Sequence, residues 1–160
     1  SYDRNVDEKL RLALPKPIRD CLGSENRIIY IAPGTDGSLA LYPEEAFEAL
    51  AEKLADASPN ASGVRSFSRL FFARAQRVEI DKSGRIRVPN DLAELGCITK
   101  AVVLVGVRDH IELWDKERWD AYLHENEPIY DDIAERAFDA QHGVSSKQEP
   151  EREPAKPLPR

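Results

Sequence analysis

Val78-Glu79-Ile80-Asp81-Lys82-Ser83-Gly84-Arg85-Ile86-Arg87-Val88-Pro89-Asn90-Asp91-Leu92 is the stretch that decides the fold. Val78 and Ile80 alternate with Glu79 and Asp81, and Ile86 and Val88 alternate with Arg85 and Arg87. Strict alternation on both sides of a polar tetrad reads as two half-buried strands joined by a tight turn. Asp81 closes such a turn through its own side chain, and Gly84 takes a positive φ at no steric cost. Pro89 has no N–H to donate and stops the ladder. Parity counted from Ile86 and Val88 puts Arg85 and Arg87 on the outward face. Two cations therefore stand on the solvent side of a short strand.

The stretch occurs twice. Val6 to Pro15 aligns without gaps on Ile80 to Pro89, with Asp81 74 positions after Asp7. A short helical segment follows each copy, ending in Leu22-Gly23 or Leu95-Gly96, and then an apolar run, Ile28–Ile31 or Val102–Val105. Each copy closes with a helix, opened by Pro43-Glu44-Glu45-Ala46-Phe47 or by Asp115-Lys116-Glu117-Arg118-Trp119. Trp119 lies 72 positions after Phe47, so the copies differ by small indels only. Two copies are too few for a solenoid and imply one pseudo-twofold domain.

The expected organisation is a first half over 1–56, a linker plus helix over 57–75, a second half over 76–124, a C-terminal helix over 125–141 and a disordered tail over 142–160. Strands are expected near 27–32 and 38–42. The helix from Pro43 to about Ala55 carries Phe47, Leu50, Ala51 and Leu54 on one stripe. A second helix, Val64 to Ala75, packs through Val64, Phe67, Leu70 and Phe71, with Arg65, Arg69 and Arg74 among them. Trp119, Tyr122 and Leu123 are expected to face inward, and Pro128 to Phe138 to add an amphipathic helix. Beyond His142 the composition is polar, charged and proline-containing, that of a disordered tail.

The 160 residues are 41% hydrophobic and 32% charged, enough apolar material for one core. No apolar run approaches the roughly 18 residues of a membrane span, and no signal-peptide pattern opens the chain. It holds no methionine, so an initiator or further residues are expected to precede Ser1. Cys21 and Cys97 are expected to be small, buried and reduced. His110, His124 and His142 have no cysteine or carboxylate at metal-ligand spacing, and neither a nucleophile–base pattern nor a phosphate-binding glycine loop is present. The reading is a non-enzyme with no metal, cofactor or small-molecule substrate.

The net charge is −6, but the residues from Glu125 onward hold nine acidic and five basic side chains, leaving 20 acids against 18 bases in 1–124. A nearly neutral body can carry a basic face. The first hairpin offers Lys9 and Arg11, with Lys16 and Arg19 just after it; the second offers Lys82, Arg85 and Arg87. Either cluster alone is ordinary solvated surface. The same cation at the same hairpin position in both copies is how a protein addresses a quasi-symmetric duplex, since arginine forks onto guanine or clamps phosphate.

Two Asp-x-x-x-Arg-[Ile/Leu]-x-[Val/Leu]-Pro hairpins, the second followed by Val102-Val103-Leu104-Val105-Gly106-Val107 and Glu112-Leu113-Trp114-Asp115, resemble the MraZ family of bacterial regulators, built from two AbrB-like halves. The helix from Arg65 to Phe72 fits the same family. The resemblance implies a mainly β fold with peripheral helices, a pseudo-twofold double-split (swapped-hairpin) β-barrel. It implies a ring-like homo-oligomer binding double-stranded DNA at promoter repeats, repressing the division and cell-wall gene cluster. Such a protein works in the cytoplasm at the nucleoid, with no membrane partner. The family's DNA-contacting arginines fall on Arg11 and Arg85 and its first-motif lysine on Lys9; Lys82, Arg87 and Lys16 flank them. Leu10 departs from the family's glycine, which Gly84 keeps. A leucine there is either strained at positive φ or changes the turn. The alternative role is an AbrB-like protein–protein module, antitoxin-like or scaffolding, with DNA binding weakened by Leu10.

Overall fold

The computed structural model describes residues 1–23, 27–58 and 60–142, and divides the chain into two compact units, Ser1–Tyr122 and Leu123–Arg160. Among the described residues the first unit holds eight strands: β1 (Tyr2–Asn5), β2 (Arg11–Ala13), β3 (Ile28–Pro33), β4 (Leu39–Pro43), β5 (Gln76–Glu79), β6 (Arg85–Arg87), β7 (Ala101–Val107) and β8 (His110–Asp115). Around them lie α1 (Lys16–Cys21), α2 (Glu44–Asp56), α3 (Ser62–Arg74) and α4 (Asn90–Leu95). Helix α5 (Lys116–Asn126) runs into the second unit, where a 3-10 turn (Glu127–Ile129) leads to α6 (Tyr130–His142). The expected C-terminal helix is therefore present; the expected tail lies, from residue 143, outside the described residues.

Six strands form one antiparallel sheet in the order β1-β7-β8-β4-β3-β5. The order exchanges strands between the repeats: β1, from the first, pairs with β7 of the second, and β5, from the second, pairs with β3 of the first. The central pair, β4 with β8, joins the two repeats. β2 and β6 leave this sheet and pair with each other as a two-stranded ribbon, linked back to the first repeat by the bridge Val6–Leu12.

This arrangement corrects two expectations. The arms on either side of each turn are not partners in a ladder: β5 goes to β3 and β6 to β2. Alternation shows that each strand has one buried face; it does not say which strand lies beside it. The strands also form an open sheet plus a ribbon rather than a closed barrel ladder among the described residues. β2 and β6 hold three residues each. Pro15 and Pro89, just beyond them, have no N–H with which to continue. Those prolines instead begin helices α1 and α4, at φ −57° and −59°.

One sheet face and the inner face of the ribbon share the main core. Leu12, Ile29, Ile31, Leu39, Leu41, Ile86, Val88, Leu92, Leu104 and Leu113 are fully buried there. A second cluster on Ala32, Ala40, Tyr42 and Phe71 takes in Tyr30, Phe47 and Leu50, so α2 and α3 cover part of the sheet through an aromatic stack. Leu70, expected to pack, is instead 69% exposed, and Phe67 stacks on Phe71 yet stays 45% exposed, because α3 turns only Phe71 fully inward. Trp119 and Tyr122 lie against Trp114, though Tyr122 keeps an exposed edge. Cys21 and Cys97 are free thiols and exposed, not buried. Cys21 ends α1, whose Ile18 fills the core instead, and Cys97 takes φ +51° where the chain leaves α4. No helix among the described residues is long and apolar enough to cross a membrane.

Candidate nucleic-acid interface

The two turns are built alike. In the first, the Asp7 carboxylate accepts from the backbone N–H groups of Lys9 and Arg11, both at 2.9 Å, and from Arg11 Nε at 2.7 Å. In the second, Asp81 accepts from the N–H groups of Ser83 (2.8 Å) and Arg85 (3.0 Å) and from Arg85 Nε at 3.0 Å. Asp7 N–H donates to the Arg11 carbonyl and Asp81 N–H to that of Arg85. These bonds to the ionised form hold both carboxyl groups below the usual aspartate range, the backbone N–H of the arginine contributing most.

Leu10 leaves this geometry intact. It sits at φ +58° where Gly84 sits at +74°, and its N–H donates to the Asp7 carbonyl at 2.9 Å as that of Gly84 does to Asp81. The turn keeps its type and Leu10 carries the strain, which for a non-glycine residue in this region is about 1–2 kcal/mol. Its side chain packs against the main core. The turns also grip each other's strands, since Leu14 N–H donates to the Gly84 carbonyl and Val88 N–H to that of Leu10.

On the ribbon, Arg11 lies opposite Arg87, Leu12 opposite Ile86 and Ala13 opposite Arg85. Leu12 and Ile86 are buried, so parity turns Arg11, Arg85 and Arg87 onto one outward face. Leu12 and Ile86, which match in the repeat, pair at the ribbon's centre. Arg85 and Arg11 are ion-paired with Asp81 and Asp7, at 38% and 39% side-chain exposure. Both pairs are at the surface and engage Nε alone, so they fix the guanidinium while leaving its two terminal nitrogens for another acceptor. Asp91, on α4, accepts from Gln76 Nε2 at 2.7 Å.

Lys9, Lys82, Arg87 and Lys16 are exposed. Lys16 does not serve its own repeat's turn. With Arg19 it reaches the second turn, beside Lys82, and Arg27 joins them. Sequence reasoning missed Arg27, and nothing local flags it, because only the strand exchange brings β3's approach next to Ile80, whose N–H donates to the Arg27 carbonyl at 2.7 Å.

The model of the family described as "MraZ protein, putative antitoxin-like" matches residues 1–70 and again 71–141. The chain belongs to the MraZ family. It is 41% identical over 134 residues to the transcriptional regulator MraZ of Finegoldia magna, covering 84% of this chain and 92% of that protein. Proteins of the same name from Mesoplasma florum and Heliobacterium modesticaldum are 36% and 37% identical over 138 residues, 86% of this chain and 93% and 94% of theirs. The two MraZ matches meet within α3, so that helix bridges the repeats.

Proposed function

We propose that the chain is a transcriptional regulator that binds double-stranded DNA through the outward face of the β2–β6 ribbon. The carrying observation is the set of three arginines, Arg11, Arg85 and Arg87, on one face of a two-stranded antiparallel ribbon whose other face is core. The major groove admits such a ribbon, and a bidentate arginine–guanine contact discriminates by about 1–3 kcal/mol. Asp7 and Asp81 fix the two equivalent arginines before DNA arrives, which lowers the ordering cost of binding. Lys9, Lys82 and Lys16, exposed near the ribbon's ends, add positive charge toward the duplex. The relatives' shared name, transcriptional regulator MraZ, supports this reading.

One ribbon makes few contacts, so useful affinity comes from several copies on adjacent promoter repeats, in a ring-like homo-oligomer that represses the division and cell-wall gene cluster. Phe67, Leu70 and Phe72, exposed along α3, supply apolar surface for copy-to-copy contact. The chain then works at the nucleoid, with two swapped AbrB-like halves as its scaffold. The unbroken turn at Leu10 removes one support of the interaction-module alternative, the weakening of DNA binding by Leu10.

Mobility of the chain on its own upstream DNA, against a scrambled duplex of equal length, tests this. Arg85→Ala should remove discrimination between the two, a loss of about 1–3 kcal/mol. Glu48→Gln on α2 should change neither. An Arg85→Ala protein that retards its own DNA as well as the parent refutes the assignment.

A further inference from the structure

The two ends of the ribbon are related by the pseudo-twofold but are not alike in charge. A cleft of about 180 Å³ lies between α1 and the second turn, lined by Lys16, Arg19, Arg27 and Lys82 with Asp20 and Asp81. Among the described residues none of these four cations is in an ion pair, and Asp81 is already committed to Arg85. At the other end the positions matching this lining are Asn90, Ala93, Glu94, Lys100, Asp7 and Glu8, one cation against three carboxylates, with Lys9 of the turn beside them. The correspondence is fixed by hydrogen bonds, since Val6 N–H donates to the Lys100 carbonyl as Ile80 N–H does to that of Arg27.

The turn residue has changed together with its neighbour on the helix. Gly84 is buried, and a Cβ there would strike the Arg19 guanidinium, with Cζ at 2.9 Å and Cδ at 3.0 Å. So the glycine leaves the space that Arg19 occupies, holding the guanidinium across the turn. In the first repeat's turn, leucine replaces that glycine, and the helix residue matching Arg19 is Ala93, small and buried. One end is built to hold an arginine at its turn; the other is closed by an apolar side chain.

We propose that the cleft of Lys16, Arg19, Arg27 and Lys82 binds a phosphate group of the DNA backbone, and that its counterpart beside Leu10 does not. The proposal rests on the DNA-binding reading above. Several cations in a concave site focus a positive potential, and arginine presents the planar fork that phosphate oxygens accept. The cleft has several times the roughly 30 Å³ that a water occupies in the liquid, room for a phosphate group. A grip at one end alone breaks the ribbon's symmetry and gives each bound copy a direction along the duplex.

The test is fluorescence anisotropy of the full chain on its own upstream duplex and on the scrambled one, across a potassium chloride series. Arg19→Ala combined with Arg27→Gln should weaken both complexes about equally, by roughly tenfold, and flatten the salt slope by about 0.9 for each phosphate no longer neutralised. Arg19→Lys, which keeps the charge, should keep most of the slope, and so separates removal of the cation from misfolding. Lys100→Ala, at the opposite end, should change nothing. An unaltered slope in the double variant, with the parent binding normally, overturns the cleft assignment alone; a parent that binds no duplex overturns the DNA reading itself. Calorimetry with inorganic pyrophosphate separates the sources. Saturable, Arg19-dependent uptake of pyrophosphate alongside an unaltered DNA slope makes this a soluble-anion site and refutes the proposal.

Discussion

Replacing Leu10 by glycine and by alanine should reverse the usual order of those two residues. In an ordinary helix or strand, glycine is less stable than alanine by about 0.5–1 kcal/mol, because the unfolded chain gains freedom. At Leu10, φ is +58°, where any residue with a Cβ carries about 1–2 kcal/mol of strain. Leu10 is half-buried against the core, so truncation to alanine costs about 1 kcal/mol, part of the roughly 1.5–3 kcal/mol for a fully buried leucine. Alanine keeps the strain. Glycine gives up the same packing and pays the entropy but sheds the strain, leaving Leu10→Gly above Leu10→Ala by about 0.5–1 kcal/mol. Urea unfolding followed by tryptophan fluorescence reads this directly, since Trp114 and Trp119 lie in the same compact unit as the turn. If Leu10→Ala is as stable as Leu10→Gly or more so, the strain argument fails, and with it the account of how the first turn keeps its shape.

Asp7 and Asp81 have folded-state pKa values below their ordinary 3.8, so the stability they add is present above that value and is lost as pH falls through the lower folded one. The Asp7→Asn, Asp81→Asn double variant should therefore show a flatter decline in stability below about pH 4, read from acid titrations monitored by tryptophan fluorescence. Phe71→Ala should cost about 3–5 kcal/mol, because Phe71 is buried and stacked on Phe47 and Phe67; denaturant midpoints check it, and a change under about 1 kcal/mol would show that α3 is not held by this ring. Tyr42, whose phenol is pushed up first by burial and then by Asp109 and Glu112, should be a late-titrating tyrosine in an ultraviolet alkaline titration, and Tyr42→Phe should delete that late step.

The repeat, the two turns and most of the elements are legible in the sequence because each rests on local patterning: alternation for the strands, prolines and glycines for the ends. Strand partnership is not, and that one gap accounts for most of what differs at the site. With β2 and β6 taken as arms of separate hairpins, Arg11 and Arg87 belong to different clusters, whereas they face each other across the ribbon. Chain proximity puts Lys16 at its own repeat's turn, when α1 serves the other one. Asp7 and Asp81 read as turn-formers, which they are, but the i to i+4 reach from their carboxylates to Arg11 and Arg85 exists only once the turn closes. Leu10 looks like a defect in the sequence; the structure tolerates it at positive φ, and Ala93 in place of an arginine removes any conflict over the turn.

The exchange of strands between repeats also governs the order of events during synthesis. Tyr2 pairs with Leu104 and Asn5 with Ala101, so β1 leaves the ribosome with no partner until some 100 residues later. At roughly 5–20 residues per second that delay is on the order of 5–20 s, far longer than local structure takes to form. During it, β3 and β4 have only each other, and both present open edges. The first repeat alone therefore cannot complete its sheet, and the open edges close only once the second repeat emerges.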